Sequence, residues 1–196
     1  MAKPIFTQIS QNMPARISSA DVQTARNWFR NQAKKVTDIN INTLFTGSKK
    51  NMVSDINTTS IGSMFHFIYD PKWKDKLPYY DVFPLSFIVE LYSDGFLGIN
   101  LHYLNPYSRA KLMDSLYTIA LKENDTMKLQ VSYKILKSAT RFRFFQPCVK
   151  RYLSSHVRSR FLLIEPEQWD ICLMLPTQRF VKSTSDVVWK DSRGMF

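Results

Sequence analysis

Gly62-Ser-Met-Phe-His-Phe-Ile-Tyr-Asp-Pro71, Leu77-Pro-Tyr-Tyr-Asp-Val-Phe-Pro84, Leu85-Ser-Phe-Ile-Val-Glu-Leu-Tyr92 and Asp94-Gly-Phe-Leu-Gly-Ile-Asn-Leu-His-Tyr-Leu104 make up the most patterned stretch of the chain. Phe65, Phe67 and Tyr69 alternate with Met64, His66 and Ile68, the period of a strand with two apolar faces. Asp70-Pro71 ends it. Pro71, Pro78 and Pro84 cannot donate to a sheet ladder, so 70–84 reads as a loop. Its Trp73, Tyr79, Tyr80 and Phe83 are too apolar to hang free and should fold back onto the sheet or dock on a partner. A second strand over 85–92 turns at Ser93-Asp94-Gly95, where glycine offers a positive φ, into a third over 96–104. Gly98 marks a bulge or close packing. Consecutive hairpin strands without β-α-β alternation set the class as α+β. The expected architecture is a small bent antiparallel sheet or SH3-like barrel, with two to three packed helices and extended N- and C-terminal arms.

Outward from this scaffold the signals are shorter. Residues 1–17 lack periodicity and read as an extended arm. Ser18-x-x-Asp21 is a capping signal. Val22, Ala25, Phe29 and Val36 then give a helical stripe, with Arg26, Arg30 and Lys34 on the other face. Residues 37–61, rich in Asn, Thr, Ser and Lys, form a draped linker. Asn105-Pro106 is a helix start, Asn as N-cap and Pro at the first position. Alternation over 127–135 gives a strand with a basic face. Pro147 opens a short helix with Val149, Tyr152 and Leu153 inward, 161–164 is a short strand, and 171–175 is a buried one. The chain thus divides into 1–61 (arm, helix and linker), 62–182 (one α+β domain) and 183–196 (tail).

At 196 residues with 44% hydrophobic and 14% aromatic content, the chain can build a packed core. No apolar run reaches the roughly 20 residues of a membrane-spanning helix, and the first residues lack a signal-peptide core. Cys148 and Cys172, in apolar surroundings without CxxC spacing, read as buried free thiols. The net charge of +11 is unevenly spread. Residues 126–164 hold nine basic side chains and no acidic one, and residues 1–50 eight against two. That asymmetry points to an anionic partner, nucleic acid or a complementary protein surface.

Catalytic constellations are missing. His66 and His102 lie on adjacent expected strands, but no cysteine or carboxylate stands at metal-ligand spacing, so both read as structural. Asp70, Asp75 and Asp81 are interleaved with Lys72, Lys74 and Lys76, the pattern of a self-neutralising, solvated loop. There is no nucleophile elbow, phosphate-binding glycine loop or zinc-protease motif. The reading is a non-enzymatic protein without cofactor, metal or small-molecule substrate.

The functional signal is the basic block. Arg141, Arg143, Lys150, Arg151, Arg158 and Arg160 are interleaved with Phe142, Phe144, Phe145, Tyr152 and Phe161. Such residues could neutralise phosphates while exposed rings stack on unpaired bases. Equally, the rings could be core and the arginines a solvated rim, or the arginines could pair with acidic neighbours in an assembly. On either reading the scaffold of 62–104 and the contact surface of 126–164 are separate.

Phe67-Ile-Tyr-Asp-Pro-Lys72, Leu77 through Leu85, Asp94 through Leu104 and Arg109-Ala-Lys-Leu-Met-Asp114 resemble virion-associated proteins of T-even-like, contractile-tailed bacteriophages. Some of these carry the label DNA end protector. The likeness continues through Pro147-Cys-Val-Lys-Arg-Tyr-Leu153, Trp169-Asp-Ile171 and Leu175-Pro-Thr-Gln-Arg-Phe180, and so spans about 62–182. It implies a non-enzymatic virion protein, made in the host cytoplasm, with other virion proteins or DNA as partners. Two roles follow. One is a structural component of tail, baseplate or neck, docking through its arms and through Trp73, Tyr79, Tyr80 and Phe83. The other is protection of packaged DNA ends by the basic block. Segments 1–17 and 37–61 are poor candidates for order alone, which favours the first role, with neighbours holding them.

Overall fold

Strand β4 (Leu85–Tyr92) occupies the middle of the sheet because Leu85 to Val89 are buried on both faces. The computed structural model describes residues 4–120, residue 136 and residues 143–194, so the strand expected over 127–135 lies outside the described residues. On one side β4 pairs with β2 (Met64–His66), and on the other with β5 (Gly95–Asn100). Beyond β2 come β7 (Phe161–Ile164) and β1 (Met52–Val53), and beyond β5 lies β6 (Val149–Leu153). All pairings are antiparallel, with Phe87 opposite both Met64 and Ile99. A bulge between Ile88 and Glu90 bends β4. The sheet stays open: β1 and β6 are its two ends, so the SH3-like barrel is not formed among the described residues. A separate ribbon joins β3 (Tyr80–Asp81) to β8 (Phe180–Val181).

The two apolar faces of the central strands serve two cores. Phe65, Phe67, Tyr69, Ile88, Phe96, Tyr152 and Phe161 form an aromatic cluster on one face. Phe67 meets Tyr152 and Phe96 edge-on at 5.0 and 5.6 Å between centroids, geometry worth about 0.5–1.5 kcal/mol per pair beyond burial. The hairpin glycine serves this packing. A Cβ on Gly95 would collide with the Tyr152 carbonyl oxygen, and one on Gly98 with Ser86 Oγ. Gly95 is therefore required by the approach of β6 more than by its turn.

Helices cover the opposite face. The N-terminal stretch is helical where an extended arm was expected. Helix α1 (Ile5–Gln11) buries Phe6 and Ile9, a one-turn spacing too short to stand out as periodicity. After α2 (Ala15–Ser18) and α3 (Val22–Ala33), α4 (Ile41–Gly47) adds Leu44 to the same core. These segments find their burial within the chain itself. Asp21 caps α3, accepting from the Thr24 amide at 2.9 Å, and Asn105 caps α5 (Pro106–Ala120), accepting from the Ser108 amide at 2.9 Å.

Helix α3 turns its basic face inward, against expectation. Arg26 and Arg30 are buried, while Val22, placed on the core stripe, is 57% exposed. Both guanidinium groups grip Asp170 of α6 (Trp169–Cys172), at 2.8 and 2.6 Å, and Asp114 of α5, at 2.9 and 2.8 Å. Burial opposes the charge on Arg30, but the two carboxylates outweigh it and hold its pKa above the usual value. Two other segments also differ from expectation. The buried strand expected over 171–175 is not formed, since Ile171 and Cys172 close the helical turn of Trp169–Cys172, and 149–153 form the edge strand β6 rather than a helix. The C-terminal helix α7 (Ser185–Gly194) buries Val188, and its Trp189 Nε1 donates to the His102 carbonyl at 2.8 Å. Arg109, fully buried, joins these parts by donating to the carbonyls of Leu104, Leu173 and His102. Burial pushes its pKa down to about 10.

Candidate nucleic-acid interface

The aromatic loop is built by proline-limited turns and held from outside. Leu77 N donates to the Trp73 carbonyl at 3.1 Å and Lys74 N to the Pro71 carbonyl at 3.2 Å, closing two successive turns. Lys182, just past β8, sits at φ 67°, the left-handed region that non-glycine residues rarely occupy. From there its Nζ donates to the carbonyls of Lys74, Asp75 and Leu77 at 2.7, 3.2 and 3.2 Å. One ammonium thus satisfies three loop acceptors.

Beneath the loop, Asp81 is the hub of a buried polar network. Its Oδ1 accepts from the backbone amides of Phe83 and Arg179, and its Oδ2 from Asn100 Nδ2 at 3.1 Å and His102 Nδ1 at 2.6 Å. Burial works to raise the Asp81 pKa, but His102 and these donors hold it below the usual carboxylate value. Burial likewise lowers the His102 pKa against the pull of Asp81, so the imidazole is neutral, with Nδ1–H donating to Asp81. Its Nε2 then accepts from the Thr177 hydroxyl at 3.0 Å. Asp81, His102 and Thr177 stand in the order of a nucleophilic triad, yet His102 and Thr177 have no exposed surface. The Thr177 hydroxyl is shut off from solvent, and the network clamps Asp81, Asn100, His102 and the 177–179 segment together. Asp81 therefore does not belong to the solvated loop in which its sequence neighbours place it.

Between loop, clamp and sheet edge lies a cleft of about 360 Å³, walled by Tyr69, Trp73, Tyr79, Tyr80, Tyr103 and Tyr152, with Asp81 and Asn100 also lining it. Lys72, Lys150 and Arg151 supply its cations. Lys150 Nζ stands 3.8 Å from the Tyr103 ring centroid, and burial lowers its pKa. Among the described residues no carboxylate forms an ion pair with it. Trp73 is 58% exposed at the rim, flanked by Lys72 and Lys76 at 5.3 and 5.0 Å from its ring. Arg151 lies over Tyr92 at 4.2 Å and pairs with the exposed Asp94, a surface pair of small worth.

The structure brings together what the sequence suggested in two separate places. Trp73, Tyr79 and Tyr80 from the loop meet Lys150 and Arg151 from the basic block in one cleft. The aromatic loop and this part of the basic block are therefore contiguous, not separate. Phe83 does not share this position: it is fully buried, stacks on His66 at 4.4 Å and meets Phe45 edge-on, so it belongs to the core. Arg158 and Arg160 are exposed outside the cleft, Arg158 near Asp70 at 3.8 Å and Arg160 donating to the Met52 carbonyl at 2.6 Å. Arg141 and the side chain of Arg143 lie outside the described residues. Lys72, Tyr69 and Tyr103 join the cleft without having been singled out; Tyr103 sits in a run that reads only as strand. No group of three or more His, Cys, Asp or Glu suited to a metal occurs among the described residues, and no helix there is long and apolar enough to cross a membrane.

One protein-family model matches the chain over residues 8–191, and its description is Phage T4 terminal DNA protecting protein. No curated protein and no solved structure matches.

Proposed function

The chain belongs to the Phage T4 terminal DNA protecting protein family, and from that we propose that it binds the ends of linear phage DNA and shields them from exonucleases within the virion. Of the two roles open to a phage protein of this kind, the family description favours end protection over a tail, baseplate or neck component. The observation that carries the reading is the cleft itself, lined by Lys150, Lys72 and Arg151 together with a set of aromatic rings. Cations of this kind neutralise phosphates, and ring faces stack on bases regardless of sequence, which suits a protein that must accept any DNA end. The exposed Arg158 and Arg160 offer further cations for the phosphate backbone outside the cleft, and Arg141 and Arg143 are candidates for the same role by residue type alone. We read the protein as a binder and not an enzyme. The hydroxyl of its triad-like clamp is sealed, and occupying the end is itself enough to exclude a nuclease.

The test is digestion of a blunt linear duplex by a double-strand exonuclease with wild-type protein or the Lys150→Glu, Arg151→Glu variant. Wild type should slow degradation and the charge-reversed variant should not. Equal protection by both, with the variant folded by circular dichroism, overturns the proposal.

A further inference from the structure

We propose that the cleft accepts a single terminal nucleotide, unpaired from its complement, instead of capping a closed base pair; this rests on the DNA-end reading above. Its volume of about 360 Å³ falls at the low end of the ~300–1,000 Å³ of small-ligand clefts. That is room for one base with its sugar. The lining includes the rings of Tyr79, Tyr80, Tyr103 and Tyr152, with Trp73 at the rim. A paired base offers a flat face only at the helix end, whereas a base that has left its partner can enter and be enclosed.

The charges are arranged to hold the nucleotide in one sense. Asp81 at the cleft has both oxygens occupied by protein donors. It repels a phosphate from the interior while leaving a neutral base unopposed. Lys150, poised over Tyr103 and partly desolvated, is placed to take the phosphate of the inserted nucleotide. Lys72 and Arg151 receive the next one at the rim. The loop wall is held by the Lys182 contacts to three carbonyls, so the enclosure exists before DNA arrives. Unpairing a terminal base has a cost, least for a mismatched or already single-stranded one, and that difference is measurable.

The measurement is fluorescence anisotropy with full-length protein and duplexes that differ only at one end. These ends are a paired blunt end, a terminal mismatch, a one-nucleotide 5′ or 3′ overhang, and a hairpin-closed end, the other end being hairpin-closed throughout. The mismatch and at least one overhang should bind about tenfold more tightly than the paired end. Trp73→Ala and Tyr80→Leu should shrink that preference, whereas Lys150→Met should weaken binding to all open ends by a similar factor. Equal affinity for paired and mismatched ends overturns the single-nucleotide cleft and leaves the end-binding reading standing. Equal affinity for open and hairpin-closed ends overturns the end-binding reading itself.

Discussion

Arg30 and Asp170 meet at 2.6 Å between Nε and Oδ1 although 140 residues separate them in the chain. Arg26 grips the other oxygen of the same carboxylate, so α3 is fastened to α6 through one buried anion. Removing one partner of a buried pair leaves uncompensated charge and costs about 3–5 kcal/mol. Asp170→Asn should therefore lower unfolding stability by that amount in urea titration. A loss below about 1 kcal/mol would show that the cluster does not anchor the N-terminal helices. Replacing Arg26, Arg30 and Asp170 together by apolar residues should cost much less.

The buried histidines make stability depend on pH. Burial, with the nearby His102, lowers the His66 pKa to about 3, and burial lowers that of His102. In the unfolded chain both take protons near 6.5. Below that pH the unfolded state holds more protons than the fold, so stability falls as pH drops towards about 3. Each histidine contributes about 1.4 kcal/mol per pH unit while its unfolded form is charged and its folded form neutral. Asp81, depressed below its ordinary 3.8, adds to the loss only below about that pH. Denaturation at pH 7 and pH 5 should show the lower stability at pH 5, with a shallower dependence in His66→Gln. Equal stability at the two pH values would refute buried neutral imidazoles.

What could be read beforehand was local. The hairpin of 85–100 follows from period-two alternation and one turn, and the Asn105 cap from two adjacent residues. Among the short runs, 161–164 is the strand that it reads as, whereas 149–153 and 171–175 satisfy strand and helix spacing alike. The inward face of α3 was invisible since its partners, Asp114 and Asp170, lie in distant helices. Both halves of the cleft carried a signal, rings in one and cations in the other. Nothing local indicated that β6 lies beside the loop, and that adjacency makes the site.

Lys182 is the residue on which the loop wall should depend. Its three carbonyl contacts are exposed, so the global cost of losing them should stay within about 1 kcal/mol. Their local effect should be larger. In Lys182→Met, amide hydrogen exchange across 74–77 should quicken about tenfold, while exchange in β4 stays unchanged. Unaltered exchange in the loop would show that its turns suffice without the clamp.

Lys150 separates binding from stability. Its ammonium is partly desolvated, stands over a tyrosine ring and forms no ion pair among the described residues, although the charge of Asp81 acts on it across the cleft. Lys150→Met removes that desolvation cost and keeps most of the apolar stem, so the variant should fold at least as stably as wild type. Affinity for DNA ends should fall, and the slope of log K against log salt should become shallower by about 0.9, the share of one released counterion. A residue held for binding at the expense of stability gives this opposite pair of changes. If affinity and salt slope both stay at wild-type values, Lys150 does not contact phosphate. The cations at the rim would then have to carry the contact without it.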